Sequence, residues 1–129
     1  MKNIMFTNPE DFKEENFVDT KALAELLDVT PDWLNHNRIS DNPIPYLRID
    51  RRRIIYHKKA VLAWIGRKDL SLQFYSTKTL AKKLSVSVSW LKHNRKEQDP
   101  IPFRRFGYLV RYQHEEVFRW LRKNSQANV

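Results

Sequence analysis

The sequence predicts an α+β protein, mainly helical with small β-hairpins, in which one unit is present twice. Three observations lead there. Trp33-Leu34-Asn35-His36-Asn37-Arg38 returns as Trp90-Leu91-Lys92-His93-Asn94-Arg95, 57 positions further on. Residues 17–50 and 74–107 are identical at 16 of 34 positions without a gap, which shared composition does not explain. Around each copy the periodicity changes in the same order, from helical to extended and back to helical.

Residues 1–16 read as an arm, with Asn8-Pro9-Glu10-Asp11 as a short helix start: a cap, a proline in the first turn and acids at the positive end of the dipole. The first unit spans residues 17–66. Asp19 or Thr20 caps a helix over Lys21–Leu27, with Leu23, Ala24 and Leu27 on one face. Asp28 and Val29 interrupt it. Thr30-Pro31-Asp32 starts a second helix that runs to about Arg38 and buries Leu34. Two short helices around a tight turn make a helix-turn-helix.

Pro43-Ile44-Pro45 excludes helix, because each proline holds its predecessor extended. Tyr46–Ile49 and Ile54–Tyr56 then read as two strands of a hairpin whose tip is Asp50-Arg51-Arg52-Arg53. A helix over His57–Ile65 follows, with Val61, Trp64 and Ile65 on one face and Gly66 as its stop. Helix, helix, hairpin and helix describe a winged helix-turn-helix, so the whole chain reads as a tandem duplication of it. Residues 67–73 form a short linker, residues 74–122 the second unit and residues 123–129 a tail. In the second unit Ser76-Thr77 caps a helix through Leu84, and Ser87 caps one over Val88–Arg95. Phe103–Phe106 and Leu109–Tyr112 flank Gly107-Tyr108, and a last helix covers His114–Leu121. Asn37 and Asn94 are expected as C-terminal caps, Trp33 and Trp90 as packing between helix and hairpin, and Trp64 and Trp120 on the core face.

The formal net charge is +9, from 24 Lys and Arg against 15 Asp and Glu. It is unevenly placed: −2 over residues 1–16, +2 over 17–66 and +7 over 74–122. Such an excess favours a polyanion through a salt-dependent, sequence-blind attraction. There is no cysteine, so neither a disulfide framework nor a thiolate metal site is expected. No apolar run reaches membrane-spanning length and the N-terminus lacks a signal-peptide pattern, so the expected localisation is cytoplasmic, at the nucleoid. No nucleophile–base pairing, glycine-rich phosphate loop, paired carboxylates or metal spacing is present. The expectation is a protein that is not an enzyme and has no cofactor, metal, small-molecule ligand or membrane partner.

Thr20–Thr30, Trp33-Leu34, Pro43-Ile44-Pro45 with Arg48, and Ala60–Ile65 together resemble the excisionase family, MerR-like winged helix-turn-helix proteins of phages and mobile elements. Thr77–Ser87, Trp90-Leu91, Pro100–Pro102, Arg105-Phe106-Gly107 and Val117–Leu121 carry the same resemblance in the second unit, so that it covers about three quarters of the chain. The family usually has glycine at the helix-to-helix turn, where Asp28 and Ser85 stand. Serine tolerates a left-handed backbone less well than aspartate, which predicts a wider turn in the second unit. Asp50 likewise replaces the usual glycine of the first wing.

The resemblance implies sequence-specific binding to double-stranded DNA, as a recombination directionality factor or a small transcription regulator, with a recombinase or RNA polymerase as protein partner. The second helix then lies in the major groove. In the first unit Asp32, Asn35, His36 and Arg38 face outward, with Asn35 suited to adenine and Arg38 to guanine or phosphate. In the second unit Ser89, Lys92, His93, Arg95 and Lys96 take those places. Arg51, Arg52 and Arg53 form one wing, and Tyr108 with Arg104, Arg105 and Arg111 the other. Lys78, Lys82 and Lys83 are expected phosphate contacts. Tandem units on a short linker would cover roughly 20 base pairs. The alternative is a protein-interaction, replication or packaging module that kept the fold, favoured in the first unit by Asp28, Asp32 and Asp41.

Overall fold

A computed structural model of the protein describes residues 13–66 and 70–125. The expected helix start at Asn8–Asp11 lies outside the described residues, as do residues 67–69 of the expected linker and 126–129 of the tail. The chain divides into two compact units, Met1–Leu72 and Gln73–Val129. Leu70 and Leu72, in the stretch expected as a linker, are buried.

After a 3-10 turn at Glu14–Asn16, the first unit runs β1 (Phe17–Asp19), α1 (Thr20–Leu27), α2 (Pro31–Asn37), β2 (Leu47–Arg48), β3 (Ile54–His57) and α3 (Lys58–Ile65). The second repeats that order with β4 (Phe74–Ser76), α4 (Thr77–Leu84), α5 (Val88–Asn94), β5 (Arg104–Phe106), β6 (Leu109–Gln113) and α6 (His114–Lys123). Among the described residues each unit is therefore α+β, with three α-helices and one small antiparallel sheet.

Local chemistry sets the helix starts. The Asp19 carboxylate accepts from the Ala22 N–H at 2.7 Å, and the Thr30 hydroxyl from the Trp33 N–H at 3.0 Å. Ser76 and Ser87 do the same for Thr79 and Trp90, at 3.1 and 2.9 Å. Each bond satisfies a donor that the first helical turn leaves open. Between the paired helices Asp28 (φ 56, ψ 47) and Ser85 (φ 57, ψ 42) adopt the same left-handed conformation. The wider second turn predicted from serine is thus not found. In both, the next N–H returns to a helix carbonyl, Val29 to Ala24 at 2.9 Å and Val86 to Ala81 at 3.0 Å. That closure, with the packing of the two helices, offsets a backbone penalty of about 1–2 kcal/mol.

The sheets are larger than the predicted hairpins. Strand order is β1-β3-β2 in one and β4-β6-β5 in the other. The added strands come from the segments just before the first helices, with Phe17 opposite His57 and Phe74 opposite Gln113. Three-residue strands are too short to show an alternation, and their partners are distant in sequence, so no local pattern reveals them. The hairpin strands themselves are where expected, shortened to Leu47–Arg48 in the first unit and extended through His57 and Gln113.

In the second unit the core consists of Tyr75, Leu80, Ala81, Leu91, Ile101, Tyr112 and Val117, with Phe103 and Trp120 packed against it. Matched residues of the first unit are buried too: Leu23, Ala24, Leu34, Ile44, Tyr56 and Val61. Ile44 and Ile101, each between two prolines, are fully buried. Trp120 packs against the core as expected, Trp33 and Trp64 are half-buried, and Trp90, expected as packing, is 45% exposed. Asn37 and Asn94 are not left-handed helix caps either. Each is the last helical residue, and its side-chain oxygen accepts the N–H of Ile44 (2.9 Å) or Ile101 (3.0 Å). This bond fastens the helix end to the Pro-Ile-Pro segment. Among the described residues no helix is long and apolar enough to cross a membrane.

Candidate nucleic-acid interface

Burial of Leu34 and Leu91 turns the opposite faces of α2 and α5 to solvent. On α2 that face carries Asp32, Asn35 and His36, and on α5 and just beyond it Ser89, Lys92, His93 and Lys96, all exposed. The two histidines are held alike. Nδ1 of His36 is 2.9 Å from the Asp32 carbonyl oxygen, and Nδ1 of His93 is 2.9 Å from that of Ser89. A carbonyl only accepts, so Nδ1 carries the hydrogen, and Nε2 is the ring nitrogen turned to solvent.

Arg38 and Arg95 have structural partners. Arg38 Nη1 donates to the Tyr56 hydroxyl at 2.7 Å and to Thr20 Oγ1 at 3.4 Å, and its Nη2 donates to Asn35 Oδ1. Arg95 Nη1 makes the same pair of bonds, to Tyr112 at 3.0 Å and Thr77 at 3.4 Å. Each arginine so ties the end of the second helix to the start of the first and to the central strand. Burial pushes the Tyr56 phenol above its ordinary range, against the pull of the Arg38 hydrogen bond. The guanidinium groups also lie over an aromatic ring, Arg38 at 5.9 Å from the Tyr46 centroid and Arg95 at 5.9 Å from that of Phe103.

In the second unit Arg105 is a further cation on Phe103, at 5.5 Å. Lys92, His93, Arg95, Lys96, Phe103 and Arg105 line one cleft of about 350 Å³. Among the described residues no acid lines it, and its chemistry suits a phosphate or the electron-rich edge of a base. Phe103 is a residue that the sequence reading missed. The signal was an aromatic after Pro-Ile-Pro in both repeats, Tyr46 and Phe103.

The first hairpin tip is organised by Asp50, whose Oδ1 accepts the N–H groups of Arg52 and Arg53, each at 2.9 Å. These bonds replace what a glycine would supply by backbone freedom. Arg53 also pairs with Asp50 at 3.2 Å, while Arg51 and Arg52 are exposed. Arg48, exposed beside them on β2, was not among the predicted contacts. The second tip is Gly107 (φ 65) followed by Tyr108, 82% exposed. Lys78 and Lys82 are exposed on α4, and Lys83 lies 5.2 Å from the Tyr75 ring centroid.

Of the expected contacts, one is buried and another is half-buried in an ion pair. Arg111 is 8% exposed, because β6 is flanked by strands on both sides, and its Nη1 donates to the Val110 carbonyl at 2.7 Å. Arg104 Nη2 is 2.8 Å from Glu116 Oε2, in an ion pair with side chains 24% and 11% exposed. No group of three or more His, Cys, Asp or Glu placed to hold a metal ion occurs among the described residues.

No protein-family model, curated protein or solved structure matches the chain.

Proposed function

We propose that the chain binds double-stranded DNA through two winged helix-turn-helix units, as a recombination directionality factor of excisionase type or a small transcription regulator. One observation carries the reading: both units expose the same helix face, set with hydrogen-bonding side chains, and fix it on the body of the unit by a buried leucine, an asparagine and an arginine–tyrosine bond. A rigid helix face set with polar and charged side chains is what reading base edges requires. The cationic cleft beside α5 supports it, since its lining suits a phosphate. The arginine-bearing tip of the first hairpin supports it as a wing.

The test is equilibrium binding to a duplex pool over a series of salt concentrations, with wild type and the triple variant R51A/R52A/R53A. Three lost phosphate contacts lower the slope of log K against log salt by roughly 2 to 3. An unchanged slope would remove the first hairpin tip from the interface, and salt-independent or absent binding by the wild type would end the DNA reading.

A further inference from the structure

Resting on the DNA-binding reading above, we infer that Asp32 is a specificity-determining residue: it makes the first unit select a base that offers an amino group in the major groove, cytosine first, while the second unit lacks that preference. Asp32 lies in the first turn of α2, where such a helix meets base edges, and its side chain is 79% exposed. The Thr30 hydroxyl already caps the helix, so the carboxylate is not needed for that. The ion-pairing group within reach among the described residues is His36 Nδ1 at 3.5 Å, and that nitrogen already donates to the Asp32 carbonyl at 2.9 Å. The carboxylate is left as an acceptor facing outward.

Its neighbours sharpen the contrast. The expected reading of adenine by Asn35 needs the amide oxygen and the amide nitrogen together. The oxygen already accepts from Arg38, so Asn35 presents its N–H groups more freely than its oxygen. The His36 ring, held through Nδ1, leaves Nε2 facing outward beside the carboxylate. In the second unit the matched places hold Ser89 and Lys92, a hydroxyl and an ammonium, with no acid.

In the major groove, amino donors belong to cytosine N4 and adenine N6. Guanine offers O6 and N7 as acceptors, and thymine O4. A carboxylate accepts from the first pair and is repelled by the second, and by every phosphate. An acid on a face that meets DNA thus lowers affinity for all sequences and least for the cognate one, which is how a repulsive element creates specificity.

The experiment is selection and sequencing from a randomised duplex pool with the full-length wild type, Asp32→Ser and Asp32→Asn. Asp32→Ser copies the second unit and leaves every buried contact in place. The wild type is expected to show one position with a cytosine or adenine preference on the order of tenfold. In Asp32→Ser that preference falls to about twofold or less and other positions are unchanged, while binding to random duplex strengthens on the order of threefold as a repulsive charge is lost. In Asp32→Asn, which keeps an acceptor and adds a donor, the preference weakens without vanishing. A motif identical in wild type and Asp32→Ser would overturn the role of Asp32 and leave the DNA-binding reading standing. No enriched motif with the wild type would overturn the selectivity assigned to Asp32, and no binding of any duplex would overturn the DNA-binding reading as well.

Discussion

Asn94 shows what a single side chain contributes in this fold. It is 7% exposed, and its oxygen holds the N–H of Ile101 at 3.0 Å. Pro100 and Pro102 have no N–H of their own, so this bond is the polar anchor for a segment whose isoleucine is fully buried. Removing the acceptor strands a buried donor, which costs about 1–3 kcal/mol. Asn94→Ala should lower the stability measured by urea unfolding by that amount, and Asn94→Asp, which keeps an acceptor, should lose less. Equal losses in the two variants would mean that side-chain volume rather than the hydrogen bond is what matters. At this scale the helix caps were legible, because Asp19, Thr30 and Ser87 act on donors within three residues. Asn37, Asn94, Arg38 and Arg95 were not, because their partners lie seven to eighteen positions away.

Among the elements, helices were read well and sheets partly. α1, α2, α4 and α5 follow from hydroxyl or acid caps and apolar spacing, both local properties. β1 and β4 depend on partners at the far end of each unit, and the burial of Arg111 follows from that pairing. A matched pair of elements also differs in chemistry between the units. Arg104 on β5 and Glu116 on α6 form a half-buried ion pair, and Leu47 and Ala60 stand at the equivalent places in the first unit. The first unit shows that this position accepts an apolar solution. Replacing one partner alone leaves a poorly hydrated charge, whereas replacing both need not destabilise. Glu116→Ala should therefore cost about 1–3 kcal/mol in denaturant unfolding. The double variant R104L/E116A should return to within about 1 kcal/mol of wild type. A double variant no better than the single one would show that the ion pair fixes the register of α6 on the sheet.

For the whole molecule, duplication with divergence is the central fact. The scaffold residues are matched across the units: Leu34 and Leu91, Asn37 and Asn94, Arg38 and Arg95, Tyr56 and Tyr112. What differs is the outward chemistry, acidic and polar on α2 and basic on α5, and the charge, +2 over residues 17–66 and +7 over residues 74–122. The second unit should then supply most of the salt-dependent affinity and the first most of the discrimination. The measurement that tests this most directly is selection from a randomised duplex pool with the purified full-length protein, repeated at low and near-physiological salt. The account predicts an enriched motif with two separate blocks, retained at the higher salt while overall affinity falls. Binding without any enriched motif, or no binding at low salt, would contradict it.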